Sequence, residues 1–112
     1  MSTNSFGVEV LIDDCRDFSG NFIICRTGEN GIVTVMALTQ AGVKISNLIL
    51  DHDLGDGING YQVTEILAKN KLLPDCVELI TSNPVGREKM AQVLEMEGFS
   101  RLGHKFKRMT NG

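Results

Sequence analysis

Four short apolar runs are spread along this chain, and segments with apolar residues at helical spacing separate most of them. The runs fall at residues 8–14, 21–27, 47–53 and 76–81, and turn residues bound each of them, which predicts buried strands. The residues after Phe99 are expected to add a short edge strand. Strands that alternate with helices are typical of an α/β fold with a mostly parallel sheet of about four to five strands and right-handed crossovers.

Three helices are predicted between these strands, and their ends carry suitable capping residues. The first begins after the Thr27 cap and ends before Gly42. The second covers about residues 60–69, and the third begins with proline at its first position, Pro84, and runs to about residue 97.

The link between the first two strands has no helix, because only residues 15–20 are left for it. A parallel crossover normally takes about a dozen residues or more. The second strand is therefore either antiparallel to the first or reached by a return along an extended segment.

The central strand runs into Asp51-His52-Asp53, and a glycine-rich loop at residues 55–60 follows. In an open parallel sheet, ligands bind beyond the carboxyl ends of the strands. Two carboxylates and an imidazole at such an end are costly to bury without a partner, so we expect a metal ion, a phosphate or a proton-transfer role there. Because strand side chains alternate between the two faces, His52 joins Asp51 and Asp53 only if the strand ends before it.

Polar residues follow two other predicted strands at the same edge of the sheet. Asp13 and Asp14 come after the first strand, and Thr81, Ser82 and Asn83 come after the fourth. With the two acids of the central strand, this makes four carboxylates, which repel one another unless a cation lies among them. Hard oxygen ligands favour Mg²⁺, Mn²⁺ or Ca²⁺ over zinc.

The helix that begins at Pro84 directs free N–H groups at this edge, and Arg87 in its first turn suits a phosphate better than it suits the helix dipole. Each residue also has an ordinary structural explanation. The acidic pair can form a turn, Ser82 and Asn83 can cap the helix, and Arg87 can form a surface ion pair. His52 alone is more typical of a hydrogen-bonded structural residue. A functional site is favoured because all of them are predicted to meet at one edge.

The composition fits a single domain over residues 1–112, and its charge is unevenly distributed. Before Ser100 there are seven basic residues against 14 acidic ones, a net charge of −7. The tail from about residue 100 has a net charge of +4 from Arg101, Lys105, Lys107 and Arg108. Such a tail can attract a phosphate-bearing partner, but a solvated surface tail is the favoured interpretation.

The three cysteines show no C-x-x-C spacing, which argues against a zinc or redox site and fits a reduced cytosolic compartment. Cys25 and Cys76 lie in apolar runs and are expected to be small buried hydrophobes. Cys15 lies beside acidic residues, which should raise its pKa and make it a poor nucleophile. No signal peptide and no run of roughly 20 apolar residues is found, so a cytoplasmic location without a membrane partner is predicted.

The acidic pair after the first strand, an Asp after the central strand and a Thr or Ser after the next strand resemble the layout of response-regulator receiver domains. The resemblance implies a small three-layer, flavodoxin-like fold in which Asp13, Asp14, Asp51 and Thr81 surround a Mg²⁺ ion and a phosphate-accepting aspartate. This chain differs from that family in its missing first helix and in the histidine and second aspartate that follow Asp51.

A closer resemblance is to the cyclic-phosphate processing receiver-like domain, a compact relative found in bacteria and phages. The matching segments are residues 11–17 (LIDDCRD), residues 50–55 (LDHDLG) with Gly60 and Tyr61 after them, and residues 82–90 (SNPVGREKM). That family usually has a His just before the Ser, where this chain has Thr81. The resemblance implies the processing of cyclic phosphates in RNA repair or nucleotide signalling.

These observations predict a metal-dependent phosphoesterase-like domain that acts on a 2′,3′-cyclic nucleotide, a cyclic-phosphate RNA end or a cyclic nucleotide. The cation is expected to be Mg²⁺ or Mn²⁺ and to activate a bound water, with His52 as general base or acid. The predicted metal ligands are Asp13, Asp14, Asp51 and Asp53; the predicted catalytic residues are Asp51, His52, Thr81 and Ser82; the predicted substrate-binding residues are Arg16, Asn83 and Arg87.

Two other functions fit the same residues. The first is a non-catalytic module that accepts phosphate, senses a nucleotide or binds a protein partner, which Thr81 and the short chain favour. The second is a phosphotransferase similar to the haloacid dehalogenases, with Asp51 as nucleophile and Asp53 as acid. It ranks last because the expected Lys and late acidic pair are not evident in the sequence.

Overall fold

The structure is a computed structural model that describes residues 7–17 and 19–109. Its elements in chain order are β1 Val8–Ile12, β2 Phe22–Cys25, α1 Gly28–Gln40, β3 Ile45–Leu50, α2 Gly60–Lys69, β4 Cys76–Leu79, α3 Pro84–Met96, β5 Phe99–Leu102 and β6 Lys105–Arg108. The four predicted strands and three predicted helices are all present. The strands β1, β3 and β4 end two or three residues earlier than predicted, so the polar residues that follow them lie outside the sheet.

The capping residues begin the helices as their positions predict. The Thr27 side chain accepts a hydrogen bond from the Asn30 N–H at 3.0 Å, and the Asn83 side chain accepts one from the Gly86 N–H at 3.0 Å. Each bond satisfies one of the backbone donors that have no partner in the first turn of a helix. The caps therefore fix where α1 and α3 begin.

The strands form one sheet in the order β2-β1-β3-β4-β6-β5. The first four strands of this order are parallel, which resolves the orientation of β2 in favour of a parallel return. The described residues of the β1–β2 link contain no helix, as predicted. The sheet has six strands rather than the four to five expected, because β5 and β6 both join it as antiparallel strands.

The edge strand expected from Phe99 onward is present as β5, and the basic residues that follow residue 100 belong to β5 and β6. Residues 99–108 form a hairpin that completes the sheet, with β6 directly beside β4. Phe99 and Phe106 are each only 2% exposed, and basic residues alternate with Phe106 along β6. Alternation directs every second side chain of a strand to the same face, so these aromatic rings enter the core while their neighbours face outward.

All three helices pack against one face of the sheet. The shared core includes Val10, Leu48, Leu50, Val77 and Phe106 from the strands, and Val35, Val63, Leu67, Met90 and Leu94 from the helices. The receiver-like order is confirmed, but the second helical layer of a three-layer arrangement is missing from the described residues. The reason is that the β1–β2 link is too short for a helix and that a hairpin follows α3.

Among the residues that the structure describes, no helix has the length and hydrophobicity that a membrane span requires.

Candidate functional site

The carboxyl ends of β1, β3 and β4 lie side by side in the sheet, and the predicted site residues follow these ends. A hydrogen bond of 3.0 Å from the Asp51 N–H to the Ile12 carbonyl joins the ends of β1 and β3. Another, from the Ile80 N–H to the Leu50 carbonyl at 3.2 Å, joins the ends of β3 and β4. The topology therefore brings all three polar segments to one edge, which we call the strand-end site.

Asp13 is fully buried directly after β1, and only one of its two carboxylate oxygens is satisfied. Its Oδ1 accepts hydrogen bonds from the N–H groups of Cys15 and Arg16, both at 2.9 Å. Its Oδ2 is buried with no hydrogen-bond partner, and the guanidinium of Arg16 is 3.7 Å away. A buried carboxylate oxygen without a donor is costly, so this atom is where a cation would complete the site.

Three possible metal ligands converge at this turn. Ligand atoms of Asp13, Asp14 and Cys15 all lie within 4.8 Å of one another. The pKa of the Cys15 thiol is raised, mainly by the negative charge of Asp14 and further by partial burial and Asp13. This agrees with the expectation that Cys15 is a poor nucleophile.

The predicted four-carboxylate cation site has no such compact form in the described residues. No group of three or more possible metal ligands within 4.8 Å of one another there includes Asp51 or Asp53. Asp51 nevertheless follows the strand next to β1 and is only 9% exposed. Its Oδ1 accepts the N–H of His52 at 2.7 Å. Its role as a metal ligand stays a prediction.

Two glycines allow the loop after β3 to lie close to the site. A Cβ at Gly60 would lie 2.1 Å from the Asp51 carbonyl oxygen, so only glycine allows α2 to begin against this backbone. Gly55 has a φ of 74°, and a Cβ there would lie 3.5 Å from Asp14 Oδ2. The glycine-rich loop thus serves as a close-fitting turn beside the acidic pair.

His52 lies outside β3 because the strand ends at Leu50, so strand alternation does not separate it from its neighbours. Its Nδ1 is 2.9 Å from Asp53 Oδ1, and its side chain is 13% exposed. The pKa of Asp53 is lowered, first by the hydrogen bond from His52 and then by one from Asn83. An ionised Asp53 accepts a hydrogen bond from the His52 Nδ1–H, which leaves Nε2 as the ring nitrogen that can contact a substrate.

Asn83 and Gly86 position this imidazole at the start of α3. The Asn83 Oδ1 caps the helix, so its Nδ2 is left to donate, and it donates to Asp53, the acceptor of the His52 Nδ1–H. A Cβ at Gly86 would lie 2.5 Å from two ring carbons of His52, which shows that the ring packs directly on this glycine. Among the described residues, His52 Nε2 has no hydrogen-bond partner.

The remaining predicted residues from the end of β4 differ in their surroundings. Thr81 is 3% exposed, and its hydroxyl oxygen accepts the Asn83 N–H at 3.0 Å, so it shapes the turn. Ser82 is exposed. Arg87 donates from Nη2 to the Thr81 carbonyl at 3.1 Å, while its Nε is buried without a partner.

Two arginines reach across the strand-end site from β1 and β2. Arg16 donates to the Ile80 carbonyl at 2.7 Å and so spans the end of β3 between its own loop and β4. Arg26 donates to the carbonyls of Arg16 at 2.8 Å and Asp13 at 3.3 Å, and it pairs with Asp17. Arg26 was not predicted, and neither was Gly86; the only sequence signal for either was the position of Arg26 just after β2.

Comparison with known proteins agrees with this geometry. A sequence profile described as the cyclic-phosphate processing receiver domain matches residues 8–96, which include every predicted site residue. No curated protein matches the chain. A solved structure, described as the yeast Spc42 trimeric coiled coil, amino acids 181–211, fused to another structure, is similar with a TM-score of 0.58 and 21% identity. The match covers 83% of this chain and 66% of that one, and at this identity it concerns the fold alone.

Proposed function

The chain belongs to the cyclic-phosphate processing receiver domain family, and we propose that it is a metal-dependent phosphoesterase that hydrolyses cyclic phosphates. The observation that carries this proposal is the buried Asp13 Oδ2, which has no hydrogen-bond partner. A fold rarely keeps such an atom unless a ligand completes it. A divalent cation is the ligand whose chemistry matches a carboxylate pair beside a histidine.

The carboxylates of Asp13 and Asp14 would hold the cation, with Asp51 on the neighbouring strand as a further oxygen ligand. The donors fit a divalent ion, because all three are carboxylates and Asp13 is fully buried. Bound there, the ion would polarise a phosphoryl oxygen and make a bound water more acidic.

His52 would transfer the proton in the hydrolysis of the cyclic ester. Its Nε2 takes a proton from the attacking water as the new P–O bond forms, and returns it to the ribose oxygen as the old P–O bond breaks. Asp53 holds the Nδ1 proton and thereby keeps the correct tautomer. Gly86 packs against the ring, and Asn83 donates to the Asp53 carboxylate that orients it.

Positive charge for the phosphate would come from Arg16. Its guanidinium is 43% exposed and is held at the end of β4 by one hydrogen bond to Ile80, so its other donors remain for a phosphate oxygen. Arg87 is less suited to this role than its position in sequence predicts, because its unsatisfied Nε is buried whereas the Arg16 guanidinium is exposed.

The deciding experiment measures hydrolysis of 2′,3′- and 3′,5′-cyclic nucleotides and cyclic-phosphate RNA ends with Mg²⁺ or Mn²⁺. His52→Ala should lower the rate by roughly 10²–10⁴-fold, the usual contribution of a general acid or base. Asp51→Asn should also lower it. The matched control is His104→Ala, which removes the other histidine from the exposed turn between β5 and β6.

Equal loss in His52→Ala and His104→Ala would contradict the assignment of His52. A complete lack of turnover with every substrate, with Mg²⁺ and Mn²⁺ and also with Zn²⁺ and Co²⁺, would exclude the enzymatic function.

A non-catalytic receiver-like module is the second candidate, and the surroundings of Thr81 favour it. This residue stands where the family usually has a His, and a hydroxyl cannot serve as a general base as an imidazole can; its oxygen accepts the Asn83 N–H. The site would then bind a nucleotide or accept a phosphate on Asp51 without releasing it. Nucleotide or metal binding without turnover, or an acid-stable but base-labile phosphoprotein absent in Asp51→Asn, would support this candidate.

A further inference from the structure

We infer that the Cys15 thiol is a third protein ligand of the cation at Asp13 and Asp14, so that the site prefers a borderline transition-metal ion such as Zn²⁺ or Co²⁺ over Mg²⁺. The inference deepens the proposed function, on whose cation site it rests. It changes the kind of metal expected, because an oxygen-only set favours hard ions whereas a sulfur ligand favours softer ones.

The turn after β1 brings the three donors together. The Asp13 Oδ1 accepts the N–H groups of Cys15 and Arg16, which folds the chain back over the aspartate. Arg26 fixes the same turn from β2 through the carbonyls of Asp13 and Arg16. The donor atoms of residues 13–15 consequently lie within 4.8 Å of one another without any further rearrangement.

A tetrahedral ion fits this spacing with a small adjustment. Metal–sulfur bonds of about 2.3 Å and metal–oxygen bonds of about 2.1 Å place neighbouring ligand atoms roughly 3.4–3.6 Å apart. The three donors therefore need to approach one another by at most roughly 1.2–1.4 Å from the 4.8 Å limit. Asp14 and Cys15 are exposed and can make this movement, while the buried Asp13 provides the fixed point.

An independent observation also indicates a ligand here. Asp13 Oδ2 is fully buried, has no hydrogen-bond partner and belongs to the same turn. The Arg16 guanidinium, at 3.7 Å, is the nearest positive charge and is committed to the Ile80 carbonyl. Two carboxylates and one arginine leave an excess of negative charge, which attracts a cation.

The acidic neighbours of Cys15 attract the cation to this turn. The divalent ion offsets the charge of the two aspartates and is itself what stabilises the Cys15 thiolate. When the metal–sulfur bond forms, the thiol proton passes to the solvent and the sulfur lone pair becomes the bonding pair. The other positions of the ion remain open to water and to a phosphate oxygen.

The test is a Co²⁺ titration of the full chain, followed by the near-ultraviolet sulfur-to-cobalt charge-transfer band. Wild type should show the band, and Cys15→Ser should lose it and bind Co²⁺ and Zn²⁺ at least about tenfold more weakly. Mg²⁺ affinity should change little, because Mg²⁺ gains little from sulfur. Cys76→Ser is the matched control and should keep the band, since Cys76 begins β4 at the opposite edge of the sheet.

Three results would overturn the inference: no cobalt binding, cobalt binding without the band, or a band that persists in Cys15→Ser. These results are separable from the proposed hydrolysis. If Cys15→Ser hydrolyses the substrate with Mg²⁺ as fast as the wild type, and the wild type shows no charge-transfer band, the enzymatic function stands and the sulfur ligand is excluded. If the wild type shows the charge-transfer band but hydrolyses no cyclic phosphate, Cys15 stands as a metal ligand and the enzymatic function is excluded.

Discussion

The strand-end site and the β5–β6 hairpin are both rich in charged side chains, but they differ in how those charges are satisfied. In the hairpin, Arg101 donates to Glu88 and Glu95 at 3.1–3.2 Å and lies over the Phe106 ring. Glu88 has a lowered pKa because Arg101 donates to it. The charge of this hairpin arginine is therefore neutralised by acidic side chains of α3.

The second hairpin arginine repeats the arrangement. Arg108 donates to Asp75 at 3.0 Å and to the Leu73 carbonyl at 2.8 Å, and it lies 4.7 Å from the Phe99 ring centre. Both basic residues thus pair with acids on the outside while covering an aromatic residue of the core. Their roles are structural, although the charge count alone indicated a free tail.

At the strand-end site the opposite holds. Among the described residues, the two buried side-chain atoms without a hydrogen-bond partner are Asp13 Oδ2 and Arg87 Nε, and both belong to this edge. The comparison shows that buried polar atoms without hydrogen-bond partners, rather than the number of charged residues, distinguish a candidate functional site from a structural region. Groups that lack a partner in the folded chain are available to a ligand.

Replacing Asp13 with Asn tests this contrast most strongly. The variant keeps an Oδ1 acceptor for the turn but removes the unsatisfied charge, and an amide costs less to bury than a carboxylate. Without metal, its free energy of unfolding should be equal to that of the wild type or higher. Metal-dependent hydrolysis should fall on the order of 10³-fold, because cation stabilisation of a phosphoryl group contributes several kcal/mol.

Chemical denaturation and hydrolysis rates measure the two effects side by side. Asp56→Asn is the control, because it neutralises an exposed acid in the nearby glycine loop and should change neither quantity. A clear loss of stability in Asp13→Asn without metal would show that Arg16 already satisfies this carboxylate, and the contrast between the two regions would fail.

The Gly86→Ala substitution tests whether the position of His52 matters. A Cβ at Gly86 would lie 2.5 Å from the imidazole, so the ring must shift from its present position beside Asp53. A misplacement of about 1 Å costs roughly 10²-fold in rate, and we expect a loss of that size with cation binding at Asp13 unchanged. Hydrolysis kinetics and a metal titration measure these two quantities.

Val85→Ala is the matched control, since this neighbouring side chain in the same turn is 67% exposed. Thermal unfolding of both variants separates a displaced ring from a damaged helix. Full activity in a folded Gly86→Ala variant would show that the contact between His52 and α3 is only packing.

Most of the fold could be predicted from local patterns. Apolar runs located four strands, and Thr27, Asn83 and Pro84 located the starts of two helices. The strand ends were placed two or three residues too late, because a run of residue types does not show where pairing with a neighbour stops. One edge strand was expected after Phe99, but its partner strand β6 was not, because the basic residues outweighed the alternation around Phe106 and the acids that pair with them lie far away in sequence.

The site could be predicted only in part. The strand-end rule placed the acidic residues at one edge, but it did not show which of them would meet. Asp53 hydrogen-bonds to His52, and Cys15 lies with the acidic pair. Both outcomes depend on the backbone path beyond the strand ends and on the contact with α3, which no local pattern encodes.

The smallest effect is expected at the hairpin, where Arg101→Gln should lower stability and leave hydrolysis unchanged. Loss of the contact with Phe106 alone costs about 0.5–1 kcal/mol. Since the pKa of Glu88 is lowered by folding, its pairing adds stability above the unfolded pKa of roughly 4.3 and loses it as pH falls through the lower folded value. Denaturation at several pH values should therefore show the gap between wild type and Arg101→Gln narrowing below about pH 4. Lys105→Gln, which removes a hairpin charge that has no ion pair among the described residues, should show a smaller gap that does not narrow in this way. An equal, pH-independent loss of unfolding free energy in both variants would mean that these basic residues act only through the net charge of the protein. The ion pairs that distinguish the hairpin from the strand-end site would then contribute nothing to stability.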